Sequence, residues 1–172
     1  ARDTTVMFRQ KALSVFLGTL AQYEAGLLEE KFNGSHNFVE DPLLTAAMGP
    51  IEEHDGKLTQ KINFEKYKQS FYAKKFNFDS NVNAGDGSAA STAVTDVTNV
   101  CDEYLRGLQW VMTYYKKGMP DWEWYYPEFY APFLCDLAKT CENSKMIEAQ
   151  NVFTLNTPVP PFLQLVCVLP PR

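Results

Sequence analysis

Residues 104–137 read YLRGLQWVMTYYKKGMPDWEWYYPEFYAPFLCDL, and they hold all three tryptophans and six of the nine tyrosines of the chain. Rings at this density bury a large apolar area and stack on one another, so the run must organise a core, a ligand surface, or both. Its first part carries apolar residues at three- and four-residue spacing, which is a helix. Trp110 lies on that helix and reads as core. Gly118-Met119-Pro120 then breaks the pattern. Trp122 and Trp124 follow the break and alternate across Glu123, so in an extended stretch they face one side. Indoles in that position either anchor a core or meet a flat ligand such as a nucleobase.

Working outward, Val97, Val100, Cys101, Tyr104, Leu105, Leu108, Val111, Met112 and Tyr115 form a wide stripe that predicts a helix over about 96–117. Lys116 and Lys117 suit its negative end, and Gly118 suits its cap. Leu13, Phe16, Leu17, Leu20, Tyr23 and Leu27 predict another helix over roughly 4–31, stopped by Asn33-Gly34. Residues 33–56 contain Asp41-Pro42, Gly49-Pro50 and Asp55-Gly56 and read as an irregular acidic connection. Phe64, Tyr67 and Phe71 place a helix over 58–75. The small, polar, glycine-rich residues of 79–95 predict a flexible loop. Ala131-Pro132 opens a short helix to about Cys141, and Pro161 opens a last one. The fold class is therefore mainly α: a single irregular helical domain over 1–172 with long aromatic-rich loops and no convincing sheet.

At 172 residues and 45% apolar content the chain can build one core. A net charge of −5 argues against a general polyanion binder. The charge is uneven, however. Six lysines between Lys57 and Lys75 face only Glu65, a local +5 on a body that carries −10. That segment reads as a solvated helix face or as a phosphate contact. Cys101, Cys135, Cys141 and Cys167 form no C-x-x-C pair, and no cleavable leader is expected. Reduced, mostly buried thiols in an intracellular protein are expected, with no membrane span. The first residue is alanine rather than an initiator methionine, which fits a processed piece or fragment.

Little in the chain suggests self-contained catalysis. The histidines are His36 and His54. Glu52-Glu53-His54-Asp55 are consecutive, so their side chains diverge rather than converge on an ion. No serine or cysteine lies near a histidine in a nucleophile setting, and Ala84-Gly85-Asp86-Gly87-Ser88 matches neither phosphate-loop pattern.

Several motifs resemble one family in the correct order. Tyr104-Leu105-Arg106-Gly107-Leu108-Gln109-Trp110-Val111 is similar to the "YxxGLQWVL" helix of the eukaryotic 5′→3′ exoribonucleases, the Xrn family. Tyr114-Tyr115-Lys116-Lys117-Gly118 resembles their "YYxxG". Asp121-Trp122-Glu123-Trp124-Tyr125-Tyr126-Pro127 resembles "SWxWYYP", and Tyr130-Ala131-Pro132 the following "YAP". Upstream, residues 67–76 resemble "WKxxYYxxKF"; downstream, 161–170 resemble "PFxQLLAVLP". Asp121 stands where the family has serine, Glu128-Phe129 where it has "YH", and Tyr67 where it has tryptophan.

The resemblance covers about 67–170 and implies a segment rather than a whole enzyme. The family's magnesium-binding carboxylates and its 5′-monophosphate pocket belong to a more N-terminal catalytic region. No catalytic residue and no metal ligand are expected here, and magnesium belongs to the parent enzyme, cytoplasmic or nuclear. The implied role is to pack on that nuclease domain, help close its pocket and stack the first bases of single-stranded RNA. Trp122 and Trp124 are the stacking candidates, and Lys68, Lys74 and Lys75 are candidate contacts with RNA or the catalytic domain. A non-catalytic helical interaction module derived from the same fold is the alternative.

Overall fold

The computed structural model describes residues 6–34, 41–54, 56–78, 88–143 and 153–170, with the side chains of 54, 57 and 88–95 outside that description. Its elements run α1 (Gln10–Ala21), α2 (Glu24–Gly34), α3 (Pro42–Ala47), β1 (Met48–His54), β2 (Lys57–Ile62), α4 (Phe64–Lys75), α5 (Ser88–Lys117), α6 (Leu134–Asn143) and α7 (Pro161–Cys167). The fold is mainly α, with one antiparallel hairpin.

The spine is α5, whose 30 residues make a rod about 45 Å long at 1.5 Å per residue. Cys101 and Leu105 on its inner face meet Leu17 of α1 and Leu137 and Cys141 of α6, and these five close the first core. A second core joins Leu44 and Ala47 of α3 to Tyr67 of α4. A third joins Tyr72 and Phe76 to Val100 of α5. The ring of Phe133 packs against both of these, edge-on to Tyr67, Phe71 and Tyr72 at 4.9–5.8 Å between centroids. One residue just ahead of α6 therefore ties two cores together.

The predicted first helix is divided. Residues 6–9 are not helical, α1 ends at Ala21, and α2 starts at Glu24. The cause is tertiary. At the break the Glu24 carboxylate reaches the start of α6, where Oε1 accepts from Leu134 N at 2.6 Å and Oε2 from Cys135 N at 3.2 Å. Two otherwise orphaned amides of α6 are satisfied by a side chain 110 residues upstream. The predicted apolar stripe is only half used: Leu13 and Leu17 pack inward, while Phe16, Tyr23 and Leu27 stay exposed.

Residues 42–54 of the predicted irregular connection form a helix and a strand. Asp41 caps α3 by accepting from Leu43 N at 2.9 Å. Strands β1 and β2 pair from Met48↔Ile62 to His54↔Lys57, with a register irregularity between Met48 and Ile51 that accommodates Pro50. Gly56, at φ +74°, takes the left-handed conformation that a two-residue hairpin turn requires. The outer edge of β2 is covered by α2: Asn33 Oδ1 accepts from Gln60 N and its Nδ2 donates to Gln60 O, both at 3.0 Å. Glu29 Oε1 accepts from Ile62 N at 2.8 Å. Residues 58–62, expected in a helix, thus belong to strand β2, and α4 begins at Phe64 behind the Asn63 cap. Of the predicted loop over 79–95, residues 88–95 belong to α5 and 79–87 lie outside the described residues.

Candidate nucleic-acid interface

The polypeptide between α5 and α6 is fastened at both ends, and its aromatic rings take opposite environments. At the first end Gly118 closes α5 with its N–H on Tyr114 O at 3.1 Å. Asp121 then organises the turn. Its Oδ1 accepts from Glu123 N at 2.9 Å, Trp124 N at 3.1 Å and Asn156 Nδ2 at 2.9 Å. Its Oδ2 accepts from Thr154 N at 3.4 Å, and its carbonyl from Trp110 Nε1 at 3.0 Å. Burial opposes ionisation of this carboxyl, but the convergent N–H donors outweigh it and hold its pKa below the usual aspartate value. The negative charge is absorbed by the turn that it builds.

Trp124 is locked against α5. It lies 6.4 Å from Trp110 and 5.6 Å from Phe153 between ring centroids, and the Arg106 guanidinium sits 5.6 Å from its ring. Its Cη2 fills the space above Gly107, where an added Cβ would stand only 3.1 Å away. Glycine at 107 is what lets the indole lie on the helix. Gly107→Leu is therefore expected to cost about 1–3 kcal/mol by overpacking, read as a lowered urea midpoint with an altered near-ultraviolet tryptophan signal.

Trp122 is less enclosed than Trp124. It is 44% exposed, and among the described residues its ring makes no aromatic contact, while its backbone N–H is held by Asn156 Oδ1 at 2.7 Å. The two tryptophans thus differ in setting: the Trp124 ring packs on α5, and Trp122 is partly exposed. Beyond them Tyr125 and Phe129 are exposed, Phe129 at 98%. Tyr126 packs edge-on against Tyr104 at 5.3 Å and donates to Tyr130 O at 2.8 Å.

The three candidate lysines differ. Lys68 Nζ is engaged inside the fold, 3.0 Å from Asp136 Oδ1, with side chains only 13% and 12% exposed. Burial alone would lower its pKa, but the Asp136 carboxylate more than compensates and holds it raised. It is a brace rather than a free contact. Lys75 Nζ donates to Tyr130 Oη at 3.3 Å and lies 4.7 Å from that ring. Lys74 is exposed at the end of α4.

Nucleophile and metal chemistry find little material. Burial raises the Cys101 thiol to about 12 and the Cys135 thiol to about 11, so neither supplies thiolate near neutrality. Among the described residues no group of three or more His, Cys, Asp or Glu converges on a metal position. Asp41, Asp121 and Glu24 are committed to backbone amides and Asp136 to Lys68. These carboxylates, already engaged, do not fit a magnesium site. Among the described residues no helix is long and apolar enough to cross a membrane.

Two residues central to this geometry differ in how much the sequence says of them. Asp121 precedes two amides that it accepts, which is the local signature of an Asx turn, and that signature was available. Asn156 gives no local signal, since its partners lie 34 and 35 positions away.

A model of the Xrn1 helical domain matches residues 43–172. The chain is 34% identical over 149 residues to 5′-3′ exoribonuclease 1 of Saccharomyces cerevisiae, covering 84% of this chain and 9% of that protein. It is 36% identical over 131 residues to human 5′-3′ exoribonuclease 1, covering 76% and 7%. It is 33% identical over 115 residues to 5′-3′ exoribonuclease 2 of Arabidopsis thaliana, covering 64% and 9%. The chain thus spans less than a tenth of the length of each of these relatives. With a helical spine, a matching aromatic turn and a family model covering most of its length, this chain belongs to the Xrn1 helical domain family.

Proposed function

We propose that this chain is the central helical segment of a 5′→3′ exoribonuclease, seated on a nuclease domain that performs the metal-assisted hydrolysis. In this reading it helps close the active-site pocket and presents Trp122 to the bases of single-stranded, 5′-monophosphorylated RNA. The observation that carries the proposal is the division of labour between the indoles: Trp124 is packed on α5, and Trp122 is held at its backbone N–H and is 44% exposed. A rigid, exposed indole stacks on any base, because every base has a π-face. That tolerance suits an enzyme advancing along RNAs of all sequences. Lys74, and Lys75 beside Tyr130, extend the surface with positive charge for a phosphate or for the nuclease domain.

Exposed apolar residues on α7 support the docking half of the proposal. Phe162, Leu165 and Val166 face solvent in the chain by itself, with Phe162 80% exposed. A surface of this kind is normally covered. The same exposure also supports the second reading, a non-catalytic helical interaction module.

The test uses the full-length protein containing this chain. Trp122→Ala is expected to lower kcat/KM on 5′-phosphorylated single-stranded RNA by about five- to hundredfold, the equivalent of one lost base stack. Unchanged kinetics would remove the stacking role. A full-length protein without magnesium-dependent digestion of such RNA, but with tight binding to a protein partner, would favour the interaction module.

A further inference from the structure

We infer that Asp121 and Asn156 act together as the positioning pair that aims the Trp122 ring, an inference that rests on the stacking role proposed above. Three consecutive backbone amides define the direction of the turn, and all three are held by these two side chains. Asn156 Oδ1 takes Trp122 N at 2.7 Å, and Asp121 Oδ1 takes Glu123 N and Trp124 N at 2.9 and 3.1 Å. The pair is joined to itself through Asn156 Nδ2 on Asp121 Oδ1 at 2.9 Å. It is also fixed to the scaffold on two sides. Asp121 Oδ2 reaches Thr154 N at 3.4 Å, beside Phe153, and the Asp121 carbonyl holds Trp110 Nε1 on α5 at 3.0 Å.

The Trp122 ring itself has no aromatic neighbour among the described residues. The hydrogen bond that holds Trp122 acts on its backbone N–H, whereas the Trp124 ring is gripped on several sides. Electrostatics supports the arrangement. An acidic residue next to a ring that meets RNA ought to repel phosphate, yet Asp121 is only 9% exposed and spends its charge on N–H donors. Charge-assisted bonds of this kind are stronger than neutral ones, so the turn is held stiffly without presenting a bare anion. Asn156 adds the remaining contact without adding charge.

The pair makes a testable claim about the full-length protein. RNA carrying a 5′-phosphate and 2-aminopurine near its 5′ end would be bound without magnesium, so that quenching of the 2-aminopurine by a stacked indole can be read without turnover. Asp121→Ala and Asn156→Leu are each expected to lose at least about half of the quench and to lower kcat/KM by about tenfold, short of the hundredfold that a full ångström of misplacement can cost. In a Trp122→Ala background neither should lower kcat/KM further, because the ring they aim is gone. Asp121→Asn keeps the oxygen that takes the Glu123 and Trp124 amides, and it should retain most of the quench.

A full quench in Asp121→Ala alongside a lost quench in Trp122→Ala overturns the positioning pair and leaves stacking standing. Losses that multiply fully with Trp122→Ala also overturn it, since they show general structural damage. A full quench in Trp122→Ala overturns the stacking reading, and the pair with it.

Discussion

Asp136→Ala is expected to be among the most damaging single changes in this domain, lowering stability by about 3–5 kcal/mol. Asp136 is the shared acceptor of a network near the start of α6: Oδ1 takes Lys68 Nζ at 3.0 Å, and Oδ2 takes Tyr72 Oη at 3.0 Å. Tyr72 Oη in turn accepts from Phe133 N at 3.1 Å, and the Phe133 ring packs in two cores. Truncation leaves the lysine charge almost buried, with the neutral Cys135 Sγ at 3.8 Å and the exposed Glu65 carboxylate at 3.7 Å as neighbours. The cost comes from that uncompensated charge rather than from the attraction lost, because burying the pair already carries a desolvation penalty. Lys68→Met combined with Asp136→Leu should therefore be less damaging than Asp136→Ala alone. Urea unfolding checks both: a midpoint lower by about 1–5 M is expected for the single change at a typical slope of ~1–3 kcal/mol per molar urea. If the double variant is as unstable as the single one, the explanation from a stranded charge is wrong.

Leu105→Ala is the second large effect, at about 3–5 kcal/mol. Leu105 is 1% exposed and touches the core where α1, α5 and α6 meet. Its neighbours come from three helices held at other points, by Glu24 on α6 and by Gln10 Nε2 on Cys141 O at 2.7 Å. Such a site cannot collapse readily around a void, so the cavity cost adds to the lost transfer energy. Leu105→Met, nearly equal in volume, should cost under about 1.5 kcal/mol. Val111→Ala, two turns along the same helix but exposed, should stay within about 0.5 kcal/mol. A Leu105→Ala protein that unfolds at the wild-type midpoint would show that this three-helix contact is not a cohesive core.

The helices that could be read directly are those whose signals are local. In α5 the apolar residues recur along one face, and Gly118 ends it. In α6 and α7 a proline stands at or near the first turn. The hairpin could not be read this way, because MGPIEEH lacks alternation and its partner strand draws part of its bonding from Asn33 and Glu29 on α2. The division of α1 from α2 was hidden for the same reason, since Glu24 serves the far end of the chain. The apolar stripe of α1 misled in another way. Periodicity marks a face, but it does not say whether anything covers it, and Phe16 and Leu27 remain exposed.

Residue order alone determined the mainly helical class, the family and the run of aromatics that makes the turn distinctive, because each depends on neighbours within a few positions. Only the tertiary structure decided which indole packs on α5 and which is more exposed. Gly107 makes the seat for Trp124, Phe153 closes on its ring, and Asn156 holds the backbone of Trp122. Those residues are far apart in the chain and adjacent only after folding, so no local pattern near Trp122 or Trp124 distinguishes one ring from the other.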